Sequence, residues 1–378
     1  MAADLRNTRE RGFKMERKGI ILYPYDLEHY PIVKYKELVE ISKPLFLLAP
    51  KGYGLAGKQA DYFLEKPETE IAILEEIEEE VAKQANEICI LDTIEKVEVE
   101  DIEEVIVRAC EANINVLYAA EPSTERCEIA RRICEQYKNS FTVVESNFPM
   151  ELDWRKIQPA KKKISTPVVM VCGISPMTQK FELQLYLRKY FKQHKYSVSQ
   201  IGSKITSGLF GFCSIAPYIF SCDNTEVRKI HTINNMIKKI EEEENPDVII
   251  IGVPGGILPL TAKHHFGYGV YAYEIFNAIC PDFTILSLPN GEYTDEFYDN
   301  INKMSKYKFG VDIDAFFISS FTPISNSIIT AELEFAYTKE KKNTSSLYKV
   351  FSNSSLQGDK LFKEIENKLL MYGKYGQF

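Results

Sequence analysis

The clearest chemistry in this chain lies in residues 173–180, GISPMTQK, which follow the apolar run VVMVC. A short β-branched run reads as a strand buried on both faces. Gly173 ends that run, and Phe181, Leu185, Leu187 and Phe191 then recur at helical spacing. A glycine turn between a buried strand and a helix aims the free N–H groups of the helix start at an anion. Lys180 stands where it would add the point charge of a phosphate-binding lysine. Glu182 is placed either to repel a phosphate or to ligate a metal directly. A second apolar run with a glycine exit spans 246–256, PDVIIIGVPGG, where Gly255 and Gly256 permit close approach of a ligand or another chain. A third glycine loop, PKGYGLAGK at 50–58, sets Gly52, Gly54 and Gly57 beside Lys51 and Lys58. It reads equally as an anion site or a plain loop, and its spacing is not the GxGxxG of a dinucleotide site.

The spacing from Gly173 to Lys180 is that of the longer phosphate loop of dethiobiotin-synthetase-like NTPases. Such a loop has a second glycine before the lysine and a hydroxyl residue after it to hold Mg²⁺. A neighbouring strand ends in an acid associated with that metal. Here Gln179, Phe181, Glu182, Gly252 and Val253 occupy those positions. Gln179 carries a Cβ and is expected to resist positive φ, which would hold the loop away from a phosphate. The loss of glycine, hydroxyl and acid together has one common cause, the absence of Mg·NTP chemistry. A nucleotide stays a candidate ligand, while Mg-ATP hydrolysis is not expected. The alternative for 173–180 is an ordinary strand–helix turn.

Other reactive side chains are less organised. His264 and His265 are adjacent and cannot both face one site, so they read as exposed or packing residues. Cys127 and Cys134 share one helix face, yet no further ligand completes a metal set nearby. No metal site is expected. The eight cysteines include no CxxC pair and read as reduced, buried thiols. There is no Gly-x-Ser-x-Gly elbow and no HExxH.

The elements that must position these residues alternate strand and helix. Strands are expected at 19–23, 44–49, 87–91, 115–119 and 140–144, with helices at 32–41, 71–85, 100–112 and 123–137. A new series opens at 167 and continues with strands at 197–201, 247–251, 283–288 and 315–319. Further strands are expected at 333–337 and 347–351, and a terminal helix at 358–371. This alternation predicts an α/β protein with parallel sheets covered on both faces. Two domains are expected: a Rossmann-like domain over 19–147 and a P-loop-NTPase-like domain over 166–378 with a C-terminal extension. A Pro-punctuated linker at 148–165 ends in a lysine run. Residues 1–18 are charged, lack an apolar core and read as a disordered leader.

With 378 residues, 45% hydrophobic, 26% charged and a net charge of −8, the composition is that of a soluble globular protein, and the reduced thiols lead one to expect the cytoplasm. The negative charge argues against general nucleic-acid binding, and no apolar run reaches transmembrane length.

Taken together, YPYDLEHYPIVKY, PKGYGLAGK, GISPMTQKFELQL, SQIGSK, LFGF and PDVIIIGVPGGILP resemble the peptide-maturation system proteins of clostridial-type bacteria. The resemblance covers roughly residues 19–323. That family is encoded beside radical-SAM maturases and small Cys-rich precursor peptides, in ribosomally synthesised natural-product (RiPP) systems. The resemblance implies a Rossmann-like domain followed by a P-loop-like one, and it implies a pathway rather than a reaction. The expected function is that of an accessory protein binding the precursor peptide, the maturase or both, without ATP hydrolysis. One alternative is a ligase-type or amino-acid-modifying enzyme that uses ATP, Lys180 and Glu182. Another is a nucleotide-binding sensor.

Overall fold

The apolar runs become the central strands of two parallel sheets. The computed structural model describes residues 19–39, 45–65, 67–92, 97–121, 124–144, 161–222, 224–324, 328, 333–353 and 359–375. The expected leader, and 148–160 of the expected linker, lie outside the described residues.

The first sheet contains β1 (Gly19–Tyr23), β2 (Leu45–Leu48), β3 (Ile73–Leu74), β4 (Ala85–Leu91), β5 (Asn115–Ala119) and β6 (Phe141–Val143). Their spatial order is β3-β2-β1-β4-β5-β6, the Rossmann order. Ile21 of β1 pairs in parallel with Phe46 on one side and Ile88 on the other. The strand order therefore reverses at β1. After β1 comes α1 (Tyr30–Lys34), and α2 (Glu79–Gln84), α3 (Val99–Glu111) and α4 (Glu125–Tyr137) follow. Thr124 caps α4 by accepting from the Cys127 N–H, and Lys138 ends it in the left-handed region. The expected helix over 71–85 is instead β3 followed by the shorter α2. Ile73 is fully buried where it pairs with Leu47, so the sheet edge overrides the helix propensity of the glutamates around it.

The second sheet contains β7 (Val168–Gly173), β8 (Val198–Gly202), β9 (Cys213–Ser214), β10 (Val248–Gly252), β11 (Phe283–Leu288) and β12 (Ala315–Ile318). β13 (Phe321–Pro323) and β14 (Phe335–Tyr337) form a separate antiparallel ribbon, and β15 (Lys349–Ser352) rejoins the large sheet. The order is β15-β12-β11-β7-β10-β8-β9. Helices α5 (Lys180–Gln193), α6 (Ala216–Phe220), α7 (Glu226–Glu244), α8 (Val270–Ala278), α9 (Asp295–Phe309) and α10 (Lys360–Tyr375) complete the unit. No strand of the first sheet enters the second.

β7 is buried along its length and lies between β10 and β11, where Met170 pairs with both Ile251 and Thr284. The chain leaves β7 toward β8 on one side and later crosses to β11 on the other. β7 is thus the switch point, the place where open α/β sheets bind ligands at their carboxyl edge. Met170, Cys172, Ile249 and Ile251 pack into one apolar cluster with Ile233, Ile237 and Ile275. Each such fully buried aliphatic side chain is worth about 1.5–3 kcal/mol. Glu241 of α7 ties down the chain before β7 by accepting from the Ser165 and Thr166 N–H groups, both at 2.6 Å. Burial alone would raise its carboxyl, but Lys238 and these N–H groups outweigh that and hold it at about 2.

By compactness, one unit takes the described residues within Met1–Asp26, Ile41–Tyr118 and Pro122–Thr142. The other takes those within Leu27–Glu40, Ala119–Glu121 and Val143–Phe378. Segment 27–40, expected in the first domain, thus belongs with the second. Three ion pairs hold it there: Lys34–Glu182 and Lys189–Glu37 at 2.5 and 2.7 Å, and Glu28–Lys204.

Candidate functional site

The loop that leaves β7 is fixed by its neighbours on both sides. The Ile174 N–H donates to Ser287 O of β11, and the Ile257 N–H, beyond β10, donates to Gly173 O. Gln179, immediately before α5, has φ +55° and ψ +17°. The expectation that its Cβ would forbid a left-handed turn is therefore overturned, and the side chain itself supplies the reason. Gln179 Oε1 accepts from the Ser320 N–H at 2.5 Å and from Asn353 Nδ2 at 2.9 Å. Its Nε2 donates to Glu182 Oε2 at 2.8 Å. Left-handed backbone costs a non-glycine residue about 1–2 kcal/mol. Three hydrogen bonds at about 1 kcal/mol each offset that cost.

Lys180 does not reach into an open crevice. It is 8% exposed, and its Nζ donates to Gly255 O and, at 3.4 Å, to Ser175 O. Burial, with Lys204 next to it, lowers the Lys180 ammonium to about 8. A Cβ on Gly256 would lie 2.7 Å from Ile174 O and 3.0 Å from Ser175 Cα. Gly173, Lys180, Gly255 and Gly256 therefore meet at one end of the sheet, as their topology predicts. They are closed against one another, with Gly256 supporting the loop from behind.

Glu182 also differs from expectation. It is 4% exposed, with Oε1 bound to Lys34 at 2.5 Å and Oε2 taken by Gln179. Both of its oxygens are thus engaged by other side chains. Gln184, fully buried, lies against Gly252 and donates to Lys180 O and Ser203 Oγ, both at 2.9 Å. Among the described residues, no group of three or more His, Cys, Asp or Glu side chains could hold a metal.

The glycine loop of the first unit is built differently. Gly52, Gly54 and Gly57 have φ of +87°, +63° and +78°, and a Cβ on any of them would meet nothing within 4 Å. Lys58 stacks over the Tyr62 ring at 4.7 Å, and Lys51 pairs with Glu104 at 3.6 Å. Beside the loop, a shallow cleft is lined by Tyr23, Lys51, Glu76, Asp101, Glu104 and Arg108, among others. Arg108 bonds Glu76 at 3.2 Å and Glu104 at 2.6 Å. Both cations of the cleft thus face carboxylates of their own unit.

Sequence reasoning missed Lys34, Gln184, Ser287, Ser320 and Asn353. Gln184 lies one helical turn after Lys180 and was legible as its neighbour. Ser320 and Asn353 are 141 and 174 residues from Gln179, and nothing in their local sequence marks them. His264 is buried and stacks on Phe266, while His265 stacks on Tyr268, so both pack. Cys134 faces Cys110 at 3.9 Å rather than Cys127, and Cys222 and Cys280 are exposed rather than buried.

No protein-family model matches the chain, and no curated protein matches it in sequence. Among solved structures it is similar to a DUF1611 family protein from Anabaena variabilis. That likeness covers 80% of this chain and 87% of the other, with a TM-score of 0.55 and 11% identity. A putative plasmid partition protein from Borrelia burgdorferi, bound to AMPPNP, aligns over 56% of this chain and 100% of its own, with a TM-score of 0.33 and 13% identity. Chloroplast FtsY from Physcomitrella patens aligns over 62% and 83%, with a TM-score of 0.28 and 11% identity. The fold is α/β, a sheet of Rossmann order followed by a second parallel sheet of seven strands. Among the described residues, no helix is long and apolar enough to cross a membrane.

Proposed function

We propose that this chain is a cytoplasmic accessory protein of peptide maturation that binds a precursor peptide, a radical-SAM maturase or both, and does not hydrolyse ATP. The observation that carries the non-hydrolytic part is the engagement of Lys180 by Gly255 O and Ser175 O. A lysine that already donates to two backbone carbonyls must give up those bonds to meet a γ-phosphate. The pathway is supported by the sequence resemblance alone.

Calorimetry with Mg-ATP, followed by a turnover assay, tests the first part. Turnover is expected to stay at background in the wild type and in Lys180→Ala alike. A Mg²⁺-dependent rate abolished by Lys180→Ala would reverse the reading in favour of the ligase-type enzyme. Tight nucleotide binding without turnover would favour a sensor. Co-purification with the neighbouring maturase and precursor peptide tests the second part, and capture of neither removes it.

A further inference from the structure

Lys229 of α7 stands between two acceptors and reaches one of them. It is 7% exposed, and its Nζ donates at 2.6 Å to Ile219 O of α6. The other acceptor is the Glu274 carboxyl of α8, whose Oε1 lies 3.9 Å away, too far for a good hydrogen bond. Glu274 is 1% exposed, and its Oε2 has no hydrogen-bond partner among the described residues. A carboxyl group so placed is costly when charged and much less so when protonated. Burial raises the Glu274 carboxyl to about 7, with Lys229 pulling it back and Glu226 of α7 adding to the rise.

The other ionisable groups near Glu274 are turned to other work. The phenols of Tyr218 on α6 and Tyr271 on α8 feel its charge, and burial raises both, so both stay neutral while the carboxyl titrates. Arg228 of α7 acts on Tyr218, and Cys222, just past α6, acts on Tyr271. His265, before α8, stacks on Tyr268. Lys308 of α9 donates to Ile257 O and Tyr268 O at 3.3 and 2.8 Å. Lys229 is thus the cation that an ionised Glu274 can draw in.

What Lys229 holds is a weak element. α6 has only five residues, too few to be stable alone. Ile219 O belongs to its last turn, where the helix leaves its own carbonyls without donors and a lysine can supply one. The next residue, Phe220, is 43% exposed and meets the Tyr271 ring edge to face, with centroids 5.0 Å apart. One lysine therefore links the charge on Glu274 to the placing of an aromatic pair at the surface.

We propose that Lys229 is a pH-driven switch, which holds α6 while Glu274 is protonated and is drawn to the carboxylate when Glu274 loses its proton to solvent, loosening α6 and parting Phe220 from Tyr271. A shift of about 1 Å brings Nζ from 3.9 Å to the length of a charge-assisted bond. An ordinary glutamate titrates at 4.5, so between that value and about 7 the folded protein holds a proton that the unfolded chain has released. The stability this group contributes is complete below 4.5 and is lost as pH rises through about 7. The switch does not depend on the peptide-binding reading.

NMR of the full chain, labelled at glutamate carboxyl carbons and isoleucine methyls, reads both ends of the switch between about pH 5.5 and 9. The Glu274 carbon should titrate with a midpoint near 7, and the Ile219 methyl should move with the same midpoint. The Ile219 step should vanish in Glu274→Gln. It should vanish in Lys229→Met too, while Glu274 still titrates there with a higher midpoint. A Glu274 midpoint near 4.5, an Ile219 methyl that does not follow Glu274, or a step unchanged in Lys229→Met overturns the proposal. Unfolding gives a second readout. Relative to Glu274→Gln, the wild-type unfolding constant should rise by up to about tenfold per pH unit between about pH 5 and 7 and then level off. A ratio that stays flat with pH also overturns the proposal. If neither variant folds, the two midpoints in the wild type decide.

Discussion

Both sheets leave a central strand region through glycines, but the two sets of glycines are there for opposite reasons. In the first unit, Gly52, Gly54 and Gly57 all have positive φ and empty space where a Cβ would go. They serve the path of the chain. In the second unit, Gly173, Gly252 and Gly256 have no such φ, and a Cβ on any of them would come within 3 Å of another atom. They serve proximity, since two backbones or a buried amide occupy the space a side chain would need. The first loop is a surface turn shaped by conformation. The second is a packed junction of β7, β10 and α5, and its polar groups are satisfied from within. Glycine-rich exits look alike in a sequence, and only what surrounds them separates the two kinds.

Gly256→Ala is the severest way to break this comparison. The atoms nearest the new Cβ are backbone, Ile174 O at 2.7 Å and Ser175 Cα at 3.0 Å, and backbone cannot rotate away. We expect a loss of about 3 kcal/mol or more in urea unfolding, from overpacking at a fully enclosed position. Gly256→Val should be worse and should leave little folded protein. That outcome makes it unsuitable as a probe of partner binding, because loss of capture would only report loss of fold. A loss below about 1 kcal/mol for Gly256→Ala would mean that the junction can open.

Gly252→Ala should come next, at about 2 kcal/mol. Here the Cβ meets the Gln184 amide, the mobile end of a side chain, within 2.0 to 2.5 Å. Moving that amide breaks its bonds to Lys180 O and Ser203 Oγ and leaves buried polar groups unpaired. A double-mutant cycle sharpens the point. Gln184→Ala alone costs stability, but Gly252→Ala added to it should cost much less than in the wild type. Additive losses would show that the glycine is there for some reason other than the amide.

The architecture was legible because its signals are local. The runs at 19–23, 167–172 and 247–251 became β1, β7 and β10 within a residue or two, and the alternation with helices implied parallel sheets. The meeting of Gly173 and Lys180 with Gly255 and Gly256 also followed, since it depends only on both turns leaving parallel strands at the same edge. What was not legible was the direction in which side chains spend their charge. Gln179 adopts positive φ because Ser320 and Asn353 hold its amide. Glu182 is silent because Lys34 reaches it from 148 residues away. Both facts rest on contacts between distant segments, which periodicity and spacing do not encode. The edge strand β3 was lost to a different effect, a glutamate-rich helix signal outweighed by pairing with β2.

The smallest expected effect tests the other side of the comparison. Gly54→Ala puts a Cβ into open space, so no neighbour has to move. Its cost is conformational only, because alanine at φ +63° pays the left-handed penalty of about 1–2 kcal/mol. Part of that is returned, since alanine has less freedom to lose in the unfolded chain than glycine, an effect of about 0.4–1 kcal/mol. The net expectation is a loss of about 1 kcal/mol or less, with native circular dichroism. Gly54→Asn discriminates further, because asparagine tolerates the left-handed region better than alanine while adding more atoms. If conformation governs this loop, Gly54→Asn should be closer to wild type than Gly54→Ala. If space governs it, the larger residue should be the worse of the two. That ordering would make Gly54 a proximity glycine like Gly256, and the contrast between the two edges would fail.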